Sequence, residues 1–242
     1  MKKIAVLFIS IIFASSLFAQ APRSKVKNLR FHDLKPVHWG FTFGVNTMDF
    51  NIHKNASFMD TTNTLYGIEN RLQPGFHLGP IFNVRLGHFW DLRFLVNLSF
   101  GQRNLTYYTL GSSSDTANSP YTSTLMKLPS TFIEAPVLFK YKAARLGNSR
   151  AYMLFGGNVR YDLNARKEPN LADGPKIQLE MIDAYAEVGF GIDWYLPYFK
   201  LSTELKYSHG FMDVMKKDAT IYTSSIDKLN SKMLLLSFHF EG

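Results

Sequence analysis

The chain has 242 residues, 46% of them hydrophobic, with 27 Lys and Arg, 19 Asp and Glu, and a formal charge of +8. The absence of cysteine excludes structural disulfides, a thiol nucleophile, a cysteine-held metal and a lipidated N-terminal cysteine. No stretch reaches 18 consecutive apolar residues, so a membrane-spanning helix is excluded as well.

The first element has the order of a secretory leader. Lys2 and Lys3 make a positive start, Ile4 to Ala14 an apolar core, and Ser15 to Ala19 a small-residue cleavage region. Residues 1–19 are therefore expected to be a signal peptide cut after Ala19. Residues 20–38 follow as a basic tail in which Arg23, Lys25, Lys27, Arg30 and Lys35 face a single acid, Asp33. Taking Lys2, Lys3 and those five bases from 27, and Asp33 from 19, leaves 20 basic against 18 acidic residues. The charge excess thus sits in one tail with no RNA or DNA motif beside it, which argues against a nucleic-acid partner. The tail reads instead as a surface for protein partners.

Residues 39–242 carry a recurring two-residue alternation. In Ala151 to Leu163, the residues Ala151, Met153, Phe155, Gly157, Val159, Tyr161 and Leu163 alternate with others that include Asn158, Arg160 and Asp162. Asp183 to Trp194 repeats the device. Successive strand side chains point to opposite faces, so one face is apolar and the other charged. Eight such strands are expected: Trp39–Phe50, Gly75–Leu86, Leu92–Tyr108, Leu128–Tyr141, Arg150–Leu163, Asp183–Trp194, Phe199–His209 and Lys232–Phe240. Most are long enough to cross a membrane as tilted strands, which takes about 9–11 residues. Gly87–Asp91, Lys142–Ser149 and Tyr195–Tyr198 are short connections. Asn51–Pro74, Thr109–Lys127, Asn164–Ile182 and Gly210–Ser231 are long and polar. Short turns alternating with long loops mark an outer-membrane barrel with its turns and both termini in the periplasm. The fold expected is all-β, an eight-stranded antiparallel up-and-down transmembrane β-barrel.

Aromatic residues support that topology. Trp39, Phe89, Trp90, Tyr141, Trp194, Tyr195, Tyr198 and Phe240 fall near the short-turn rim, and Phe50, Phe76, Tyr107, Tyr108, Phe132 and Tyr161 gather toward the other. Phe94, Phe139, Phe155 and Phe190 lie mid-strand, facing lipid. Pro80, Pro129 and Pro136 sit inside strands, and because proline cannot donate to a ladder, bulges are expected there.

If the apolar faces meet lipid, the opposite faces line a lumen. They present Arg85, Arg93, Arg103, Lys140, Arg160, Lys200 and Lys206 against Glu134, Asp162, Asp183, Glu187, Asp193 and Glu204. Eight strands enclose a space only wide enough for side chains to fill, so a paired charge network is expected to plug it. Catalysis is not expected. The seven histidines show no paired metal spacing, no serine-elbow motif is present, and Ser208 and His209 point to opposite faces. His77 and His239 fall on the lumen face of non-adjacent strands and read as hydrogen-bonded lumen residues. No phosphate-cradling glycine loop or EF-hand spacing occurs, so no cofactor, no metal and no small-molecule ligand are expected.

Particular stretches are similar to a known family. The segments Phe41–Phe50, Pro74–Gly79, Leu92–Arg103, Phe132–Lys142 and Tyr152–Leu163, with a leader ending Phe18-Ala-Gln20, resemble the PorT family of outer-membrane barrels from the Bacteroidetes. The Phe132–Lys142 strand is shared by a broader class of small barrels from that phylum. The ending departs from the terminal aromatic of outer-membrane barrels, because Glu241 and Gly242 follow Phe240. The resemblance implies a non-enzymatic role in type IX protein secretion, and in gliding where present. Its implied partners are outer-membrane lipid and other outer-membrane or periplasmic secretion proteins. The alternatives are a small adhesion or stress barrel acting through its outer loops, and a narrow solute channel.

Overall fold

Alternation over eight stretches of chain closes into a continuous antiparallel wall. The computed structural model describes residues 26–54, 65–110, 121–165, 177–216 and 226–242. The expected leader, Arg23, Lys25 and parts of the four long loops lie outside them. Among the described residues the strands are β1 (Val37–Lys54), β2 (Leu65–Arg71), β3 (Gln73–Arg85), β4 (Trp90–Leu95), β5 (Asn97–Leu110), β6 (Tyr121–Lys142), β7 (Ser149–Asp162), β8 (Ile182–Tyr195), β9 (Lys200–Gly210) and β10 (Ile226–Glu241). Only Leu72 parts β2 from β3, and only Val96 parts β4 from β5, so ten segments make the eight staves expected from the sequence.

Around the wall the order is β1, β10, β9, β8, β7, β6, then β4 with β5, then β3 with β2. The ladder β1–β3, running from Val37↔Val84 to Met48↔Gln73, closes the circle. Each neighbour is antiparallel and joined up-and-down.

The prolines act differently from the expectation of bulges. Ile81 faces Leu95 and Leu78 faces Leu98 in one unbroken register. Phe94 faces Val137 and Asn97 faces Glu134 in another. Those registers set Pro80 opposite Val96 and Pro136 opposite Leu95, so β4 and β5 part where both neighbours lack a donor. Pro129 faces Gln102 within an intact ladder. A missing rung costs one hydrogen bond, whereas a bulge would move every later side chain to the wrong face. The register shifts lie instead at His53/Lys54 and between Leu65 and Gly67, at the long-loop end.

The strands also outrun the membrane. At 22 residues, β6 extends for about 70 Å at roughly 3.3 Å per residue, about twice what a crossing needs. Stretches expected as loops, Asn51–Pro74 and Thr109–Lys127, contain β2 and the ends of β1, β5 and β6. Polarity inverts along the way. At mid-height the outer face is apolar, with Met153 and Phe190 each 60% exposed, and the inner face ionic. Toward the long loops the inner face turns apolar. Phe50, Ile68, Leu105, Tyr107, Met126, Leu128, Ile226 and Leu229 form a buried cluster there, and Ile177, Leu179, Val214 and Met215 fold in to join it. Glu69 and Lys127 are exposed on the outside at that level. Phe50, Tyr107 and Phe132 are therefore not rim aromatics as expected; they point inward and are 4% exposed or less. Beyond the bilayer both faces meet water, and the ordinary arrangement of apolar residues inside returns.

Candidate functional site

The lumen is an ion-pair column built by the inward positions of six staves, those of β4 with β5, β6, β7, β8, β9 and β10, with Asn83 of β3 hydrogen-bonded into it. Arg93 on β4 pairs with Glu204 on β9, four staves away and so across the full diameter. Its Nε donates to Asn83 at 2.9 Å, and Glu241 lies 3.5 Å from its guanidinium. Glu204 also accepts from the Tyr152 hydroxyl at 2.9 Å and lies 3.1 Å from His239. Toward the short turns, Lys140 meets Asp193 at 2.8 Å, Lys200 meets Glu241 at 2.6 Å and Lys142 meets Asp91 at 2.6 Å. Toward the loops, Lys206 holds Glu187 at 2.7 Å, and Arg160 reaches Glu187 at 3.0 Å and Glu134 at 3.3 Å. Arg103 ends the column. It pairs with Asp162 at 2.8 Å while its guanidinium lies 4.7 Å and 5.0 Å from the Phe50 and Phe132 rings, where the apolar cluster begins.

Of the thirteen lumen residues expected from the sequence, all but Arg85 are buried. Asp183 takes its place opposite Arg160 in the β7–β8 ladder. Arg85 has the correct parity but sits half-buried at the mouth, its Nε donating to the Gly87 carbonyl at 3.3 Å. Sequence reasoning missed Asp91, Lys142 and Glu241. Each continues the inward parity of a recognised neighbour, Arg93, Lys140 and His239, by two residues, so longer strands would have found them. His77 and His239 do share the lumen, with His77 Nε2 2.9 Å from Ser237 Oγ. Among the described residues no three His, Cys, Asp or Glu side chains converge as metal ligands would.

The described part of the basic tail is not loose. Residues 26–36 fold over the short-turn end. The Asn28 amide donates to Asn148 Oδ1 at 2.9 Å, Asn28 Nδ2 donates to the Tyr195 carbonyl at 3.0 Å, and Asn148 Nδ2 donates to the Val26 carbonyl at 3.1 Å. Arg145 donates to the Asn28 carbonyl and stacks 3.6 Å over the Tyr195 ring. Asp33 is the anchor: Arg150 donates to both its oxygens at 2.9 and 3.2 Å, and the Tyr195 hydroxyl donates at 2.8 Å. Next to it a 3-10 turn, His32–Leu34, buries His32 flat against His38, ring centroids 4.0 Å apart. Lys27, Arg30 and Lys35 stay exposed.

Burial, with Lys200 and His38 adding to it, lowers the His32 pKa from 6.5 to about 3. Burial pushes the Asp33 carboxyl up, but Arg150, the Tyr195 hydroxyl and Arg145 together hold it below the usual carboxylate range. Both shifts make docking favourable at neutral pH and weaker in acid. The His32 contribution is complete above pH 6.5 and is lost as pH falls toward 3, by about 1.4 kcal/mol per unit. Asp33 adds its loss at the acid end. In detergent micelles the His32 ring is expected to titrate below about pH 4 by NMR; an ordinary midpoint near 6.5 would mean the segment is not docked.

A closed antiparallel barrel, apolar outside at mid-height and ionic inside, is a membrane barrel. The chain belongs to the outer membrane protein beta-barrel domain family, whose sequence profile matches residues 18–216. Similar solved structures include OprG from Pseudomonas aeruginosa, 11% identical, covering 85% of this chain and 94% of that one with a TM-score of 0.46. Ail, the attachment invasion locus protein of Yersinia pestis, solved with the heparin analogue sucrose octasulfate, is 13% identical, covering 86% and 100%, TM-score 0.37. Neisserial surface protein A is 10% identical, covering 84% and 96%, TM-score 0.40. No curated protein sequence matches the chain.

Proposed function

We propose that this outer-membrane barrel supports protein secretion through contacts on its surfaces, as a non-enzymatic component of the PorT type serving assembly or operation of a type IX apparatus. The observation that carries the choice of contact over passage is the filled lumen. The Arg93–Glu204 pair spans its full diameter, and an apolar cluster and a docked segment lie at its two ends. Ion pairs that cross the lumen, with an apolar cluster above them, argue against a narrow solute channel. The choice of apparatus rests on the stretches that resemble PorT barrels, Phe41–Phe50 and Leu92–Arg103 above all. In this reading residues 1–19 are removed on export, the short turns and both termini face the periplasm, and the exposed bases of the tail meet partner proteins there.

A clean chromosomal deletion followed by mass spectrometry of the culture supernatant tests it. Proteins bearing type IX C-terminal signals are expected to vanish from the medium and to return with the gene in trans. An unchanged secretome would reject the secretion role and leave a barrel acting through its outer loops.

A further inference from the structure

Beside the docked segment, on the short-turn end, lies a cleft of about 520 Å³ lined by Lys27, Arg30, Arg145, Arg150 and His88. Ala143 and Ala144 share the lining and leave it open, since neither carries more than a methyl group. The volume falls within the range of small-ligand sites, roughly 300–1,000 Å³. Four permanent cations surround it, and the one acid among the lining residues, Asp33, already serves both Arg145, at 3.6 Å, and Arg150, at 2.9 Å. The cleft therefore carries a positive excess. Lys27 and Arg30 make no ion pair among the described residues and are exposed. Arg145 is fixed in place by the Gly147 carbonyl at 3.0 Å and Asn148 Oδ1 at 3.1 Å, Gly147 taking the positive φ of 61° that the tight turn requires. The arrangement is a held guanidinium pair next to two exposed cations.

We infer that this cleft binds the phosphodiester headgroup of an anionic phospholipid. The exposed Arg30 guanidinium can bind phosphate oxygens bidentately, Lys27 adds a point charge, and the engaged Arg145 and Arg150 add positive field, so the residue types suit a phosphate better than a neutral ligand. The level in the molecule selects lipid over a soluble anion. His88 is in ring contact with Phe89 at 4.7 Å, and Phe89, Trp90 and Tyr141 form an exposed aromatic cluster on the outer wall beside the cleft. Such aromatics sit where acyl chains give way to headgroups, so the cleft opens at headgroup height. Zwitterionic headgroups bring a cation of their own into a site already rich in cations, which favours lipids of net negative charge. The inference rests on the membrane barrel alone and stands apart from any role in secretion.

The test uses the full mature chain in nanodiscs of equal phosphatidylglycerol and phosphatidylethanolamine, with native mass spectrometry of the lipids that stay bound. Phosphatidylglycerol is expected to be retained preferentially. The double variant Lys27→Ala with Arg30→Ala is expected to lower its apparent affinity about tenfold or more, while Lys35→Ala, an exposed base outside the cleft lining, leaves it unchanged. These side chains are exposed, so the variants fold. Equal retention of the two lipids, or a double variant indistinguishable from Lys35→Ala, would overturn the inference. Displacement of the bound lipid by millimolar inorganic phosphate would make the ligand a free anion and reject lipid as its source. Displacement by a glutamate-rich peptide at micromolar concentration would make it a protein site.

Discussion

Replacing Arg160 by glutamate is expected to destabilise the barrel by at least about 3–5 kcal/mol, a large part of the total stability of an ordinary domain. Arg160 is fully buried, holds Glu187 and Glu134, donates to Ser208 at 2.9 Å and stacks 3.9 Å over the Tyr185 ring. A third carboxylate in its place would leave Glu134 without a cation and Glu187 with Lys206 alone, and would add repulsion among buried acids. Burial of the whole set is itself a poor source of stability, because desolvation offsets much of the attraction; removing one partner is what costs. A control follows from that asymmetry. Arg160→Met alone should remain strongly destabilising, whereas Arg160→Met combined with Glu134→Gln should recover much of the loss, because Glu187 keeps Lys206 as its cation. Urea midpoints and the heat-dependent gel shift of the folded barrel read both. Unchanged heat resistance in Arg160→Glu would show that the network does not hold the lumen.

Replacing Asp33 by alanine is expected to release residues 26–36 from the short-turn end while the barrel keeps its melting point. Asp33 satisfies Arg150 and the Tyr195 hydroxyl and lies 3.6 Å from Arg145. Its loss leaves the largely buried Arg150 guanidinium without its acceptor and Arg145 without its counter-charge, each charged hydrogen bond being worth about 1.5–3 kcal/mol. Docking of eleven residues through a few polar contacts and one buried imidazole does not survive a loss of that size. Hydrogen exchange measures it directly: the amides of Leu34 and Lys35, which donate to Phe31 and His32 carbonyls, should lose protection. Strands β7 and β8 should keep theirs. Equal protection in the variant would mean that the stacked histidines and the Asn28–Asn148 contacts suffice.

The wall was legible wherever lipid meets it. In β7 and β8 the demand for an apolar outer face fixes every second residue, and the inward set, from Arg160 and Asp162 to Glu187 and Asp193, can be read off directly. Legibility fails where that demand ends. Around Leu65–Arg71 and Tyr121–Lys127 the outer face meets water, the pattern inverts, and polar residues that read as loop belong to strand. Phe50, Tyr107 and Phe132 were misplaced for the same reason: an aromatic near a strand end serves a rim or an internal core according to parity alone. The docking of the tail was hidden because its partners, Arg145, Asn148, Arg150 and Tyr195, lie more than a hundred residues away, and nothing local to Asp33 announces them. The prolines misled because the alternative to a bulge, a missing rung in an intact register, leaves no mark in the sequence.

A lumen filled by its own paired side chains should carry no ionic current. Planar-bilayer recording of the purified barrel tests this most directly, on the parent chain and on a chain lacking residues 26–36. Both are expected to be electrically silent, because the Arg93–Glu204 and Lys140–Asp193 pairs and the apolar cluster remain when the docked segment is gone. Steady, reproducible conductance steps from either chain would contradict the account and make the barrel a channel.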